Sequence, residues 1–166
     1  NYAQDSSVID VRKMPVVSVP DGNYFINVRF KVASSVDISG ASTSDSTTIQ
    51  LYSGNGSKAQ QFKFSKQSDG SYVITNVNSD KALDVRGAAA GNNSVVQQYA
   101  INGTNAQRWF IRDSGAGYYL QSALGNWVLD LSGGNTSNGT AIRLYAPNGT
   151  QAQRFVVSSS EVSVPV

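Results

Sequence analysis

The chain has 166 residues, enough for one domain whose core needs no covalent staples. It contains neither cysteine nor histidine, which removes disulfides, thiol nucleophiles, thiolate metal sites and the commonest general base. A net charge of only +2, with the basic residues scattered, argues against nucleic acid or an anionic membrane surface as partner. No apolar run approaches the roughly 18 residues of a membrane span, and nothing reads as a signal peptide.

In chain order, the sequence starts at Asn1 without an initiator methionine, which suggests a piece excised from a longer protein. Residues 1–19 carry no repeat of their own and read as an N-terminal linker or extension. They run into Val17-Ser18-Val19-Pro20, and the same wording returns at Val162-Ser163-Val164-Pro165, within a C-terminal linker at 159–166. From residue 20 onward the chain repeats itself three times, over about 20–66, 67–112 and 113–158.

Each repeat shows four signals in the same order. The first is a turn and strand: Asp21-Gly22 before Tyr24 and Ile26, Asp69-Gly70 before Tyr72 and Ile74, and Gly115-Ala116-Gly117 before Tyr118 and Leu120. Asp-Gly between β-formers predicts a hairpin, because glycine supplies the positive φ that primed turns require. The second is an aspartate between two aliphatics, Val36-Asp37-Ile38, Leu83-Asp84-Val85 and Leu129-Asp130-Leu131, each followed by a turn glycine at Gly40, Gly87 or Gly133. Alternation sends the aliphatics to the core face and the carboxylate to the other.

The third signal is a strand ending in tyrosine, at 49–52, 96–99 and 142–145. The fourth is an Asn-Gly turn at 55–56, 102–103 and 148–149 that feeds Gln-x-aromatic, ending in Phe62, Trp109 and Phe155. Tyr52, Tyr99 and Tyr145 stand 47 and 46 residues apart, and Gln60, Gln107 and Gln153 repeat those two intervals. About four short strands per unit and no sustained 3.6-residue period predict an all-β barrel or sandwich. One such unit cannot bury its own apolar face, but three around an axis can, with Phe62, Trp109 and Phe155 meeting in a shared core.

Three copies of an aliphatic-Asp-aliphatic strand, an apolar-x-x-Tyr strand (Gln second in two of them) and a Gln-x-aromatic turn resemble the ricin B-type β-trefoil lectins and family 13 carbohydrate-binding modules. The resemblance covers residues 20 to about 157. It implies an all-β trefoil and a shallow sugar pocket in each repeat. There the aspartate accepts hydrogen bonds from two vicinal hydroxyls, the tyrosine stacks on a sugar face and neighbouring polar residues complete the contacts. Carried over, the carbohydrate-binding residues are Asp37, Gln50, Tyr52, Asn55 and Gln60 in repeat one, and Asp84, Gln97, Tyr99, Asn102 and Gln107 in repeat two. Repeat three supplies Asp130, Arg143, Tyr145, Asn148 and Gln153, with arginine in place of the expected glutamine. A second departure is Ala59, Ala106 and Ala152, where sugar-binding members often carry asparagine.

Each residue also has a structural reading. The aspartates can tie down their own turns, the glutamines before the aromatics read as structural first, and Trp127 reads as partly buried barrel surface. An enzyme fits poorly. Glycoside hydrolysis usually needs two carboxylates about 5–10 Å apart, the only glutamate is Glu161 in the tail, and the three motif aspartates belong to different lobes. The sequence therefore implies a non-catalytic carbohydrate-binding module without cofactor or metal, with galactose- or xylan-type glycans as candidate ligands. Its expected setting is a monomeric unit of a larger multidomain chain at a bacterial cell surface or outside the cell. The alternative is a sugar-dead trefoil acting as a spacer or protein-interaction module.

Overall fold

A computed structural model describes residues 9–159. The tail residues Glu161 and Val162–Pro165 lie outside the described residues. Within them the chain forms twelve strands and short 3-10 turns, with no α-helix.

Six strands close a barrel: β1 (Gly22–Val28), β4 (Phe62–Lys66), β5 (Tyr72–Asn76), β8 (Trp109–Asp113), β9 (Tyr118–Ser122) and β12 (Phe155–Ser158). The antiparallel ladder runs β1–β4–β5–β8–β9–β12 and returns to β1, so the ring has no free edge. The other six form three hairpins over one end: β2 (Lys31–Ile38) with β3 (Ile49–Ser53), β6 (Ala82–Val85) with β7 (Ser94–Tyr99), and β10 (Val128–Leu131) with β11 (Ile142–Tyr145). The hairpins are stitched to one another by Arg143↔Val95 and Leu144↔Ser94, and by single bridges at Thr48↔Gln97 and Gln50↔Ala141. This is a β-trefoil.

Period-two burial explains why these stretches are strands. In β4, Phe62 and Phe64 point inward while Lys63 is exposed. Phe62, Trp109 and Phe155 are fully buried and share one core with Ile49, Val96 and Ile142 from the caps. Trp109 also donates from its indole nitrogen to the Leu83 carbonyl at 3.1 Å, which ties barrel to cap inside repeat two. Trp127 leans against this core, partly buried.

Asp69-Gly70 does turn a hairpin, with Gly70 at φ +89 between β4 and β5. Asp21-Gly22 does not. Gly22 is the first residue of β1 and is not left-handed, and Asp21 instead accepts a hydrogen bond from the Lys66 N–H at 3.0 Å. A hairpin needs an antiparallel strand on both sides, and the partners of β1 are β2, β4 and β12.

The chain before β1 packs on the barrel. Val11 is fully buried against Tyr119 and Val128, and Val17 N–H donates to the Ile111 carbonyl at 2.9 Å. The Tyr72 hydroxyl meets both the N–H and the carbonyl of Val19. Residues 9–19 are thus an ordered extension of the domain.

Candidate functional site

Each cap hairpin sets its aspartate directly across from the polar residue of the next strand: Asp37↔Gln50, Asp84↔Gln97 and Asp130↔Arg143. Directly opposed residues in an antiparallel pair are close enough for their side chains to bond. Gln50 Nε2 donates to Asp37 Oδ1 at 3.0 Å, Gln97 Nε2 to Asp84 Oδ1 at 3.1 Å, and Arg143 Nη2 to Asp130 Oδ1 at 3.2 Å. The aspartates are nearly buried between their aliphatic neighbours.

The glutamine before each aromatic approaches the same carboxylate from below. Gln60, Gln107 and Gln153 close the short 3-10 turns at 58–60, 105–107 and 151–153 and have no exposed surface. In repeat two, Gln107 Nε2 donates to Asp84 Oδ2 at 3.0 Å and to the Ala100 carbonyl at 2.9 Å, while its Oε1 accepts from Asn102 N–H at 2.9 Å. Gln60 and Gln153 make the equivalent three bonds to Asp37, Ser53 and Asn55, and to Asp130, Ala146 and Asn148. Every polar group of these amides is engaged within the protein, and none of the three is among the residues lining the cavities above the aspartates. Their work is to hold the carboxylate and the Asn-Gly loop.

Above each aspartate lies an open cavity. The first, about 250 Å³, is lined by Asp37, Gln50, Tyr52, Asn55 and Ala59 among others. The second, about 430 Å³, is lined by Asp84, Gln97, Tyr99, Asn102 and Ala106. The third, about 420 Å³, is lined by Asp130, Arg143, Tyr145, Asn148 and Ala152. Four of the five residues carried over in each repeat therefore converge, and the glutamine stands behind them. The three alanines leave room at each wall where a longer side chain would fill it. Trp127 lines none of the three cavities.

The cavities offer defined chemistry. A carboxylate has about four acceptor positions, and Asp37 and Asp84 each use two, one for each glutamine amide, leaving two that can meet hydroxyls. Asn102 Oδ1 is held by the N–H and hydroxyl of Thr104, at 3.1 and 2.8 Å, which leaves its amide N–H groups as donors at the cavity wall. Tyr52 and Tyr99 are 41% and 38% exposed, large apolar rings left in water beside a hydrogen-bonding cluster.

Repeat three differs. Arg143 also approaches Asp130 Oδ1 through Nε at 3.3 Å, so that carboxylate accepts three bonds rather than two. Burial pushes the Asp130 carboxyl above the usual aspartate range, against the opposing pull of the Gln153 hydrogen bond and the Arg143 charge. The guanidinium also sits 5.0 Å over the centre of the Tyr145 ring.

Some lining residues carried no local sign of a role. Phe30, in the β1–β2 turn of repeat one, reaches the third cavity, and Ser46 reaches the second from repeat one. A cavity shared between repeats that lie far apart in sequence has no periodic signature.

The family model described as a ricin-type beta-trefoil lectin domain-like domain matches residues 15–99 and 58–145. A comparison with curated proteins finds no match. Among solved structures, the designed threefold-symmetric protein ThreeFoil is 31% identical, with a TM-score of 0.79 over 83% of this chain and 99% of its own. An exo-beta-1,3-galactanase from Clostridium thermocellum is 26% identical with a TM-score of 0.79, over 85% of this chain but only 31% of the galactanase. A ricin B-like lectin from Macrolepiota procera, solved in complex with lactose, shares the fold at 21% identity and a TM-score of 0.73, over 87% of this chain and all of the lectin.

Proposed function

The chain belongs to the ricin-type beta-trefoil lectin domain-like family, and from that premise we propose that it is a non-catalytic carbohydrate-binding module. It directs a larger extracellular protein to glycans. The observation that carries this reading is the repeated set of an aspartate with two open acceptor positions, an exposed tyrosine ring and an asparagine amide around one shallow cavity. Vicinal hydroxyls suit the carboxylate, because charge-assisted hydrogen bonds are the stronger kind, and the apolar face of a pyranose suits the ring. Galactose- and xylose-type sugars both present these features. Each site holds sugar weakly, in roughly the millimolar to micromolar range or about −4 to −8 kcal/mol, and avidity comes from engaging a repeated glycan at several sites.

Hydrolysis is disfavoured by the same geometry. Each cavity contains a single carboxylate, whereas glycoside cleavage usually takes two about 5–10 Å apart. The competing reading, a sugar-dead spacer, rests on Ala59, Ala106 and Ala152 at the walls.

Tyr99→Ala tests the proposal. Amide chemical shifts in a titration with lactose or xylobiose should move around residues 99–104 in the native chain and stay still there in the variant. The Tyr52 site should respond in both, and the fold should be intact, since Tyr99 is exposed. Unchanged sugar binding at the second site in the variant removes the stacking assignment. Silence of all three sites across a multivalent glycan array favours the spacer.

A further inference from the structure

The third cavity is built for a different ligand from the other two, and we infer that it takes a carboxylate-bearing sugar, a hexuronic acid. This rests on the lectin reading and specifies one of its sites.

Two features make the neutral-diol scheme poor there. Asp130 accepts from Gln153 Nε2 and from both Nε and Nη2 of Arg143, which leaves about one acceptor position instead of two. The Arg143 guanidinium also lies over the Tyr145 ring and covers one face of it. Phe30 replaces that platform: it is 43% exposed and enters the cavity from the β1–β2 turn.

Three further features favour an anion. Arg143 has five N–H donors; two are held by Asp130 and one, from Nη1, by Asn93, so two remain without a partner among the described residues, on a side chain that lines the cavity. A planar guanidinium fork matches a carboxylate in both geometry and charge. The Asp130 charge is already met by Arg143, so it repels an incoming anion less than an unpaired aspartate does. Cations also stand beside lining residues along the chain: Lys31 follows Phe30, and Arg154 Nη2 reaches the Gly149 carbonyl, between Asn148 and Thr150, at 3.0 Å.

The other cavities lack this balance. The first has no cation in its lining. The second is lined by Arg86, whose Nε and Nη2 donate to Gln97 Oε1 and the Ser46 carbonyl, but there Asp84 has no ion pair among the described residues to offset its charge toward an anion, and nearby Asp45, which accepts from Ala100 N–H, is met only by Lys81 at 3.7 Å.

The test uses two sugars that differ only at C6, galactose and galacturonic acid, titrated into the isotope-labelled full chain at neutral pH. Galacturonate should move the amides of Gly133, Gly134 and Thr150 with a Kd about tenfold or more below that of galactose there. Raising the salt from low to near-molar should erase most of that advantage. Arg143→Gln, which restores the residue type of the other repeats, should abolish the preference. Phe30→Ala, an exposed change that leaves folding intact, should weaken both sugars at the third site and neither at the others. Equal affinity of the two sugars at the third site, or a preference insensitive to salt, overturns the inference. If galactose moves the first and second sites while galacturonate leaves the third still, this inference fails and the lectin reading stands. If neither sugar moves any site, this inference fails, and the lectin reading fails with it only if xylobiose is silent at all three sites too.

Discussion

Gln107→Ala is the sharpest perturbation of the scaffold that holds the second cavity. The amide is fully buried and makes three hydrogen bonds, one of them to a carboxylate. Removing it strips one bond each from Asp84 Oδ2, the Ala100 carbonyl and the Asn102 N–H, groups shielded from full hydration. An abandoned buried partner costs about 1–3 kcal/mol and charged groups more. Relaxation and water entry into the open cavity recover part of this, because the three losses share one site and do not add fully. We expect a net destabilisation of about 3–5 kcal/mol, a large share of the roughly 5–15 kcal/mol typical of a domain. Urea unfolding followed by the fluorescence of buried Trp109 measures it, with an unchanged slope marking a pure stability effect. The corresponding drop in Tm is roughly 6–20 °C for a chain of this size. A loss below about 1 kcal/mol would refute the assignment of this glutamine to the support of Asp84 and its loop. Sugar binding at the second site should fall in parallel, although Gln107 does not line that cavity.

Two other expectations concern backbone and charge. Gly87 sits at φ +64 with open space where a Cβ would stand, so Gly87→Ala should destabilise by about 1–2 kcal/mol through the left-handed backbone alone. Gly22→Ala, in extended backbone, should stay within about 0.5 kcal/mol, and equal thermal shifts for the two would contradict the turn assignment. In a carboxyl NMR titration, Asp130 should titrate above Asp69. Burial raises Asp130, whereas the Ser71 hydroxyl and N–H lower Asp69. A raised folded value means that Asp130 favours folding only while protonated, and this contribution is lost as pH rises through its folded pKa. Asp69 runs the other way: its contribution is present above the unfolded value near 3.9 and is lost as pH falls through its depressed folded value. The reverse order of midpoints would sink both attributions.

The sequence alone determined the threefold architecture, because an internal repeat must satisfy the same local physics three times. The aliphatic-Asp-aliphatic strands, the left-handed glycines that follow them and the buried aromatics Phe62, Trp109 and Phe155 all occupy the places their spacing implied. The convergence of Asp84, Gln97, Tyr99 and Asn102 on one cavity was implied only by the family resemblance, and it follows because all four lie within a single hairpin and its loop. For Gln107 the sequence offered two parts, structural first and a sugar contact second, and packing separates them by sealing the amide behind the wall. Asp21-Gly22 reads like Asp69-Gly70, yet only one has a strand on each side, and pairing partners are a tertiary property. The ordering of residues 9–19 likewise needed the hydrophobic seat that Tyr119 and Val128 offer Val11, more than a hundred residues along the chain. Phe30 and Arg143 meet at the third cavity for the same reason. Closing the barrel brings the turn of the first repeat beside the last, and contacts made by closure leave no period in the sequence.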